Sequence, residues 1–330
     1  VNEKNEGFGN ANNIGLTHCK GKYVLLLNPD TIVTEEALKD CIEFMDEHAD
    51  VGATGVRMLD GSGNFLAESK RSFPSAKASF YKLTGLSVLF KNSATLNKYA
   101  LGNKEEKGIY EVPVLCGACM MIRREVMQQL NGFDKDFFMY GEDIDLSYRI
   151  NKAGFKNYYI GSATIIHFKG ESSKRFSLHF IKMFYHAMIL FVQKHYKHSF
   201  FSRSILYTGI YLRAGVALLL LPFKYFFSSN NKSFNNTSVY FLGSPQDINC
   251  AKKILHNTTS TIISNKVQPS SLQKSDIFFC LGDTLTYPES ILLMEQFKNR
   301  KNTFKWFGKN TECILGSADK KTQGKVHTVD

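Results

Sequence analysis

The stretch Phe137-Phe138-Met139-Tyr140-Gly141-Glu142-Asp143-Ile144-Asp145-Leu146-Ser147-Tyr148-Arg149 sets Glu142, Asp143 and Asp145 within four positions, after aromatic residues and before a helical pattern. Carboxylates this close repel, and a fold rarely gathers them for stability alone. Leu146, Ile150 and Ala153 recur at helical spacing and Gly154 suits the helix stop. Glu142 and Asp143 then fall at a helix N-terminus, where the dipole favours their ionised forms. Such a pair suits acid–base chemistry, although an acidic helix start with an ordinary cap reads the same way. A second acidic position, Asp30, follows the apolar run Tyr23-Val24-Leu25-Leu26-Leu27 in Asn28-Pro29-Asp30-Thr31. The run reads as a buried strand, and Pro29 cannot continue it. Asn28 and Asp30 are thereby released at the C-terminal edge of a sheet, the usual ligand edge of open α/β folds. Hard oxygen ligands there suit Mg²⁺ or Mn²⁺ shared with substrate phosphates, and an Asx turn before the next helix is the plainer alternative.

The surrounding elements fit a sheet built to hold these positions. Residues 35 to 47 have helical spacing at Leu38, Ile42 and Met45. Residues 51 to 56 read as the next strand and Asp60-Gly61-Ser62-Gly63 as a turn. Residues 69 to 108 are basic and weakly patterned, which reads as a mobile loop bracketing the acceptor or a long surface excursion. Residues 112 to 122 read as one core strand and 123 to 129 as a short helix. Residues 163 to 166 read as a strand ending at His167.

Together these motifs resemble the family-2 glycosyltransferases of GT-A fold, in particular the rhamnosyltransferase-like branch that builds bacterial surface polysaccharides. The resemblance is carried by Asn5-Glu6-Gly7-Phe8-Gly9-Asn10-Ala11-Asn12-Asn13-Ile14-Gly15, by Leu27-Asn28-Pro29-Asp30, by Cys116-Gly117-Ala118-Cys119-Met120-Met121-Ile122-Arg123-Arg124 with Gly132-Phe133-Asp134, and by Phe138-Met139-Tyr140-Gly141-Glu142-Asp143-Ile144-Asp145-Leu146. Order and spacing match over roughly residues 1 to 200. The resemblance implies a donor side formed by Asn5, Gly7, Phe8, Asn12, Asn13, Asn28, Asp30 and Lys169, and an acceptor side formed by Gly117, Ala118, Tyr140 and Asp145. It implies Asp143 as general base with Glu142 beside it, and a metal, Mg²⁺ or Mn²⁺, on Asp30 and His167. Asn28 stands where many relatives carry Asp, which makes Asp30 the direct ligand and Asn28 a hydrogen-bonding partner. In such enzymes a strand-helix-strand unit precedes the Asn5 motif, so the resemblance implies that this sequence, which begins at Val1, is a piece of a longer chain.

Composition is consistent with such an enzyme. The 330 residues suffice for two domains, 43% are hydrophobic and 13% aromatic, and the formal charge is +11. That charge suits an anionic partner, a nucleotide-sugar or an anionic membrane surface; no nucleic-acid module is recognisable. Seven cysteines are scattered, and the lone pair Cys116 and Cys119 has no second pair to complete a zinc site, so reduced, buried thiols are expected.

The expected organisation is an α/β GT-A domain over 1–200, an apolar membrane-associated segment and linker over 201–230, and a small Rossmann-like α/β module over 235–330. Residues 204 to 227 approach the ~20 needed to span a bilayer, with Arg213 near the middle and Lys194, Lys197, Arg203, Lys224 and Lys232 flanking. A span, an interfacial or re-entrant pair and a buried helix are all open. Gly243 ends a strand in the last module, but no G-x-G-x-x-G follows, and a docking role is expected there. The expected function is inverting transfer of a sugar, rhamnose among the candidates, from a nucleotide-sugar to a glycan or lipid-linked acceptor at the cytoplasmic face of the cell membrane. The alternatives are an inactive sugar-nucleotide or glycan-binding module and a nucleotidyltransferase.

Overall fold

The computed structural model describes residues 3–74, 89–90, 93–168, 178–196, 200–219, 238–255, 261–263, 273–298, 300–308, 311, 313–317 and 325–328. Helix α1 (Phe8–Leu16) precedes strands β1 (Tyr23–Leu27) and β2 (Thr31–Ile32), helix α2 (Glu35–Glu47) and strand β3 (Val51–Leu59). Short strands β4 (Lys70–Arg71), β5 (Ile109–Glu111) and β6 (Val114–Leu115) lead to β7 (Cys119–Arg123), helices α3 (Arg124–Gln129) and α4 (Glu142–Lys152), and the long strand β8 (Lys156–His167). These form a mixed six-stranded sheet, β1-β7-β3-β8-β2, with β5 also paired to β8.

Local chemistry explains the elements. The Thr34 hydroxyl caps α2 by accepting from the Ala37 N–H at 3.1 Å, and Ala37, Cys41 and Met45 turn one face onto the sheet. All of β3 is buried, as a central strand covered on both faces must be. Gly154, at φ +92°, takes the left-handed position that ends α4.

The expected single strand over 112–122 is two strands. Residues 116–118 leave the ladder between β6, which pairs with β4, and β7, which pairs with β1 and β3. Gly117 and Ala118 then use their backbone groups elsewhere: the Gly117 N–H donates to Asp143 and the Ala118 carbonyl accepts from the Asn28 N–H. The apolar periodicity of the run reflects burial and conceals the break. Of the basic stretch 69–108, for which a mobile loop or a surface excursion is expected, residues 75–88 and 91–92 lie outside the described residues.

Helices α5 (Leu178–His195) and α6 (Phe200–Leu219) form a pair, joined by Val192, Leu206 and Ile210. Among the described residues no helix is long and apolar enough to cross a membrane. The span reading of 204–227 therefore has no support from α6, while 220–227 lie outside the described residues. Beyond them, β9 (Ser238–Leu242), α7 (Pro245–Ile254), β10 (Thr261–Ile263), β11 (Ser275–Cys280), α8 (Tyr287–Phe297), β12 (Thr303–Phe307), β13 (Cys313–Ser317) and β14 (Lys325–Thr328) build a second sheet, β10-β9-β11-β12-β13-β14. Its β10, β9, β11 and β12 run parallel, in the alternation of strands and helices that the sequence suggests.

One glycine is constrained where distant segments meet. Gly132 has φ +71°, and a Cβ there would lie 2.3 Å from the Asn13 side-chain oxygen. Gly132→Ala is therefore expected to cost about 1–3 kcal/mol through left-handed strain and the clash, read as a lowered melting temperature. Gly15→Ala, which meets nothing within 4 Å, is the neutral control.

Candidate functional site

The acidic motif is shaped by backbone strain. Tyr140 and Gly141 both have positive φ, 70° and 80°, so the chain reverses sharply before entering α4. Left-handed non-glycine residues cost free energy and collect at functional sites. The reversal sets Glu142 and Asp143 in the first turn of α4, where no side chain caps the helix. Asp143 is fixed from two other elements. Its Oδ2 accepts from Arg71 Nη2 at 2.5 Å and from the Gly117 N–H at 3.3 Å. Arg71 is largely enclosed and also donates to the Leu115 carbonyl at 3.1 Å. Burial alone would push its guanidinium pKa down; Asp143, with Tyr99 and Cys116, reverses that and raises it above the ordinary value.

Glu142 has the opposite environment. The residue is half-buried, but Oε2 is enclosed and has no hydrogen-bond partner among the described residues. Burial first, and then the neighbouring Asp143 charge, push its carboxyl up to about 8. Adjacent carboxyls are thus set apart, one held against a cation and the other favouring its neutral form near neutrality.

The amino-terminal motif lies against this site. The Phe8 N–H donates to the Phe138 carbonyl at 2.9 Å. Gly7, at φ +83°, leaves no room for a Cβ, which would sit 2.4 Å from that carbonyl oxygen. Asn5 turns the loop by accepting from the Gly7 N–H at 3.0 Å. A Cβ on Gly117 would meet the Asp143 Cβ at 3.4 Å and the Phe8 ring at 3.8 Å, so Phe8, Gly117 and Asp143 converge. Asn28, next to β1, is tied to the same loop through its 2.9 Å bond to Ala118.

Asp30 and His167 meet at the far edge. Thr31 pairs with His167 between β2 and β8, and the Phe168 N–H donates to the Asp30 carbonyl at 2.9 Å. His167 Nε2 lies 3.3 Å from Asp30 Oδ1, with both side chains mostly enclosed. Adjacent donors around an octahedral cation at about 2.1 Å stand ~3 Å apart, so this pair has the spacing of two ligands on one ion. Among the described residues no group of three or more His, Cys, Asp or Glu could hold a metal. The cysteines are free thiols, and burial pushes Cys116 up to about 11 and Cys119 up to about 12, which keeps both protonated and inert.

Three expected ligand contacts have other work. Asn13 donates to the Phe133 carbonyl at 2.9 Å and accepts from the Phe133 N–H at 2.7 Å, so both amide atoms pin the 131–134 turn rather than a donor. Asn12 donates to the Phe8 carbonyl at 2.8 Å, within its own helix. Asp145 is wholly buried, with Arg149 Nε at 2.7 Å and His195 Nε2 at 2.7 Å, so it ties α4 to α5 instead of facing an acceptor. Tyr140 packs edge-on against Phe180 and Phe184 of α5. Lys169 lies outside the described residues. Arg71 is the residue that sequence reading missed; its only signal is that paired buried carboxylates require a cation.

A mixed α/β sheet carrying a strand-end Asp–His pair and a helix-start carboxylate pair is the frame of a GT-A type transferase. The profile described as glycosyltransferase like family 2 matches residues 1–184, more than half of the chain, and the chain belongs to that family. It is 29% identical over 177 residues to the rhamnosyltransferase WbbL of Escherichia coli (strain K12), covering 52% of this chain and 64% of that protein. It is 30% identical over 156 residues to an N-acetylglucosaminyl-diphospho-decaprenol L-rhamnosyltransferase of Mycobacterium tuberculosis (strain CDC 1551 / Oshkosh), covering 46% of this chain and 49% of that one. The chain thus spans about half to two-thirds of the length of these relatives. Among solved structures, the mannosyltransferase PcManGT from Pyrobaculum calidifontis, in complex with GDP-Man and Mn²⁺, aligns with a TM-score of 0.39 at 14% identity, over 70% of this chain and 57% of that one.

The raised Glu142 carboxyl has a measurable consequence. Folded, it holds its proton to about pH 8; its ordinary value is 4.5, so the folded state binds more protons between these limits. The contribution of this carboxyl to stability therefore falls as pH rises through that window. Glu142→Gln should melt like wild type below pH 4.5 and progressively higher than wild type toward pH 8. A melting-temperature difference that stays constant across this range would refute the perturbed carboxyl.

Proposed function

We propose that this protein transfers a sugar from a nucleotide-sugar to a hydroxyl of a glycan or lipid-linked acceptor, with inversion at the anomeric carbon. The observation that carries the reading is the fixing of Asp143 at the start of α4 by Arg71 and the Gly117 N–H. A carboxylate so held can take the proton from an acceptor hydroxyl as that oxygen attacks the sugar. Glu142, neutral beside it, can donate a hydrogen bond that orients the acceptor. Gly117, Ala118 and Tyr140 shape the acceptor side, and Asn5, Gly7 and Phe8 the donor side. Asp30 and His167, with Asn28 as a hydrogen-bonding partner, would hold Mg²⁺ or Mn²⁺, which supplies positive charge to a departing diphosphate. The kinship with rhamnosyltransferases makes an activated rhamnose the first donor to test.

In the full-length protein, Asp143→Asn should lower turnover by at least about 10²-fold, the usual contribution of a positioned base, and leave donor affinity nearly unchanged. Asp30→Ala should weaken donor binding as well as rate. Wild-type turnover in Asp143→Asn would remove it as base, and full activity in excess chelator would remove Asp30 and His167 as metal ligands. Donor binding by wild type without any turnover would favour the non-catalytic binding module.

We infer further that the chain works at the cytoplasmic face of the cell membrane. From Ser172 to Gln246 no Asp or Glu occurs, while Lys and Arg recur. On α6, Leu206 and Ile210 pack inward, whereas Tyr211, Leu212, Leu218 and Leu219 expose 62%, 54%, 43% and 75% of their surface on one stripe. An apolar stripe in an acid-free basic segment suits the interface of an anionic bilayer. Of these cations, Lys194 is held by Asp134 and Asp136, each at 2.6 Å. Deleting 204–227 from the full-length protein should move it from membrane to soluble fractions and impair a lipid-linked acceptor more than a soluble mimic. Unchanged fractionation after the deletion would defeat this inference.

A further inference from the structure

The family match ends at residue 184, yet the second sheet packs against the first through a shared apolar core. One apolar core contains Ile32, Ile166 and, just beyond β8, Phe168 together with Phe279 and Trp306 of the second sheet and Met294 of α8. The junction lies at the Asp30–His167 edge. Ile32 follows Asp30 by two positions, Ile166 and Phe168 flank His167, and the Phe168 ring lies 5.8 Å from that of Trp306. Strand β2 offers two residues of ladder at the end of its sheet, too little by itself to fix a side chain.

A charged contact secures the same junction. Arg57 of β3, 1% exposed, donates to both carboxylate oxygens of Glu295 on α8, at 2.6 and 3.2 Å, and to Glu106 at 3.1 Å. Removing one member of such a pair leaves a buried charge partly uncompensated. The 60–63 turn seats on α8 as well: a Cβ on Gly63 would meet Met294 at 3.1 Å.

We propose that the second sheet and α8 buttress the donor end of the first sheet, holding the edge that carries Asp30 and His167 at the spacing a shared cation needs. The module is on this account a positioning element for the diphosphate site. The inference rests on the donor-side role given to Asp30 and His167 above. Supporting groups around metal ligands commonly govern affinity without touching the ion.

Hydrogen exchange on the full-length chain tests this without substrate. In Glu295→Gln, amides at 31–32 and 166–168 should exchange about tenfold faster or more, while 119–123 in β7 keep their protection. The double variant Arg57→Met with Glu295→Met, which replaces the pair by apolar volume, should restore wild-type exchange. Mn²⁺ is then titrated with GDP and with UDP, using the emission of Trp306, the one tryptophan of these 330 residues, with Trp306→Phe as the control that assigns the signal. Glu295→Gln should raise the Mn²⁺ dissociation constant about 10- to 100-fold. Wild-type exchange at 31–32 and 166–168 in Glu295→Gln overturns the buttress, as does equal loss of protection at 119–123, which marks general unfolding. If the edge loosens but wild type binds no Mn²⁺, the buttress stands and the donor-side reading of Asp30 and His167 falls.

Discussion

The ion pair between Arg71 and Asp143 is the contact on which the acidic site depends. Two adjacent carboxyls enclosed at a helix start would repel if both were charged and unpaired. Arg71 sets a guanidinium against one of them, and the enclosure of its neighbour favours the neutral form. The cation comes from β4, whose pairing with β6 also brings Leu115 within reach of the guanidinium. Sheet pairing thus sets the electrostatics of a helix end more than seventy residues away in sequence.

Much of the frame was legible because it follows from local rules. The apolar run at 23–27, the helical spacing at 35–47 and 142–152, and Gly154 as a stop each depend on burial period or backbone freedom. The Asn28–Asp30 strand exit and the Glu142–Asp143 helix start were legible for the same reason. The break at 116–118 was not, because apolar residues continue through it and only the demands of Asn28 and Asp143 on the backbone distinguish it. Asn13 and Asp145 show the complementary difficulty. Their residue types suit ligands and structural pins equally, and only tertiary partners decide. Arg71 sits in a weakly patterned stretch, so nothing in its neighbourhood marks its carboxylate partner.

The second sheet illustrates what sequence period leaves unsaid. Alternating strands and helices give its layering, but not which surface it rests on. Its attachment is decided by Ile32, Phe168 and Arg57, residues that belong to the matched family region. The boundary of family similarity and the boundary of the hydrophobic core therefore fall at different places along the chain.

The first turn of α4 carries a further consequence. Asp143 and Asp145 are two positions apart, which on an α-helix sets them roughly 200° apart around the axis. One faces Arg71 and Gly117, and the other is locked inward on Arg149 and His195. The two roles are phased by the helix itself. A single residue inserted or lost between them would rotate one by about 100° against the other and leave a charge without its counterpart. Substitution can be accommodated at several points in this motif, but an alignment gap cannot, and its length is fixed by helical pitch as firmly as its composition is by charge.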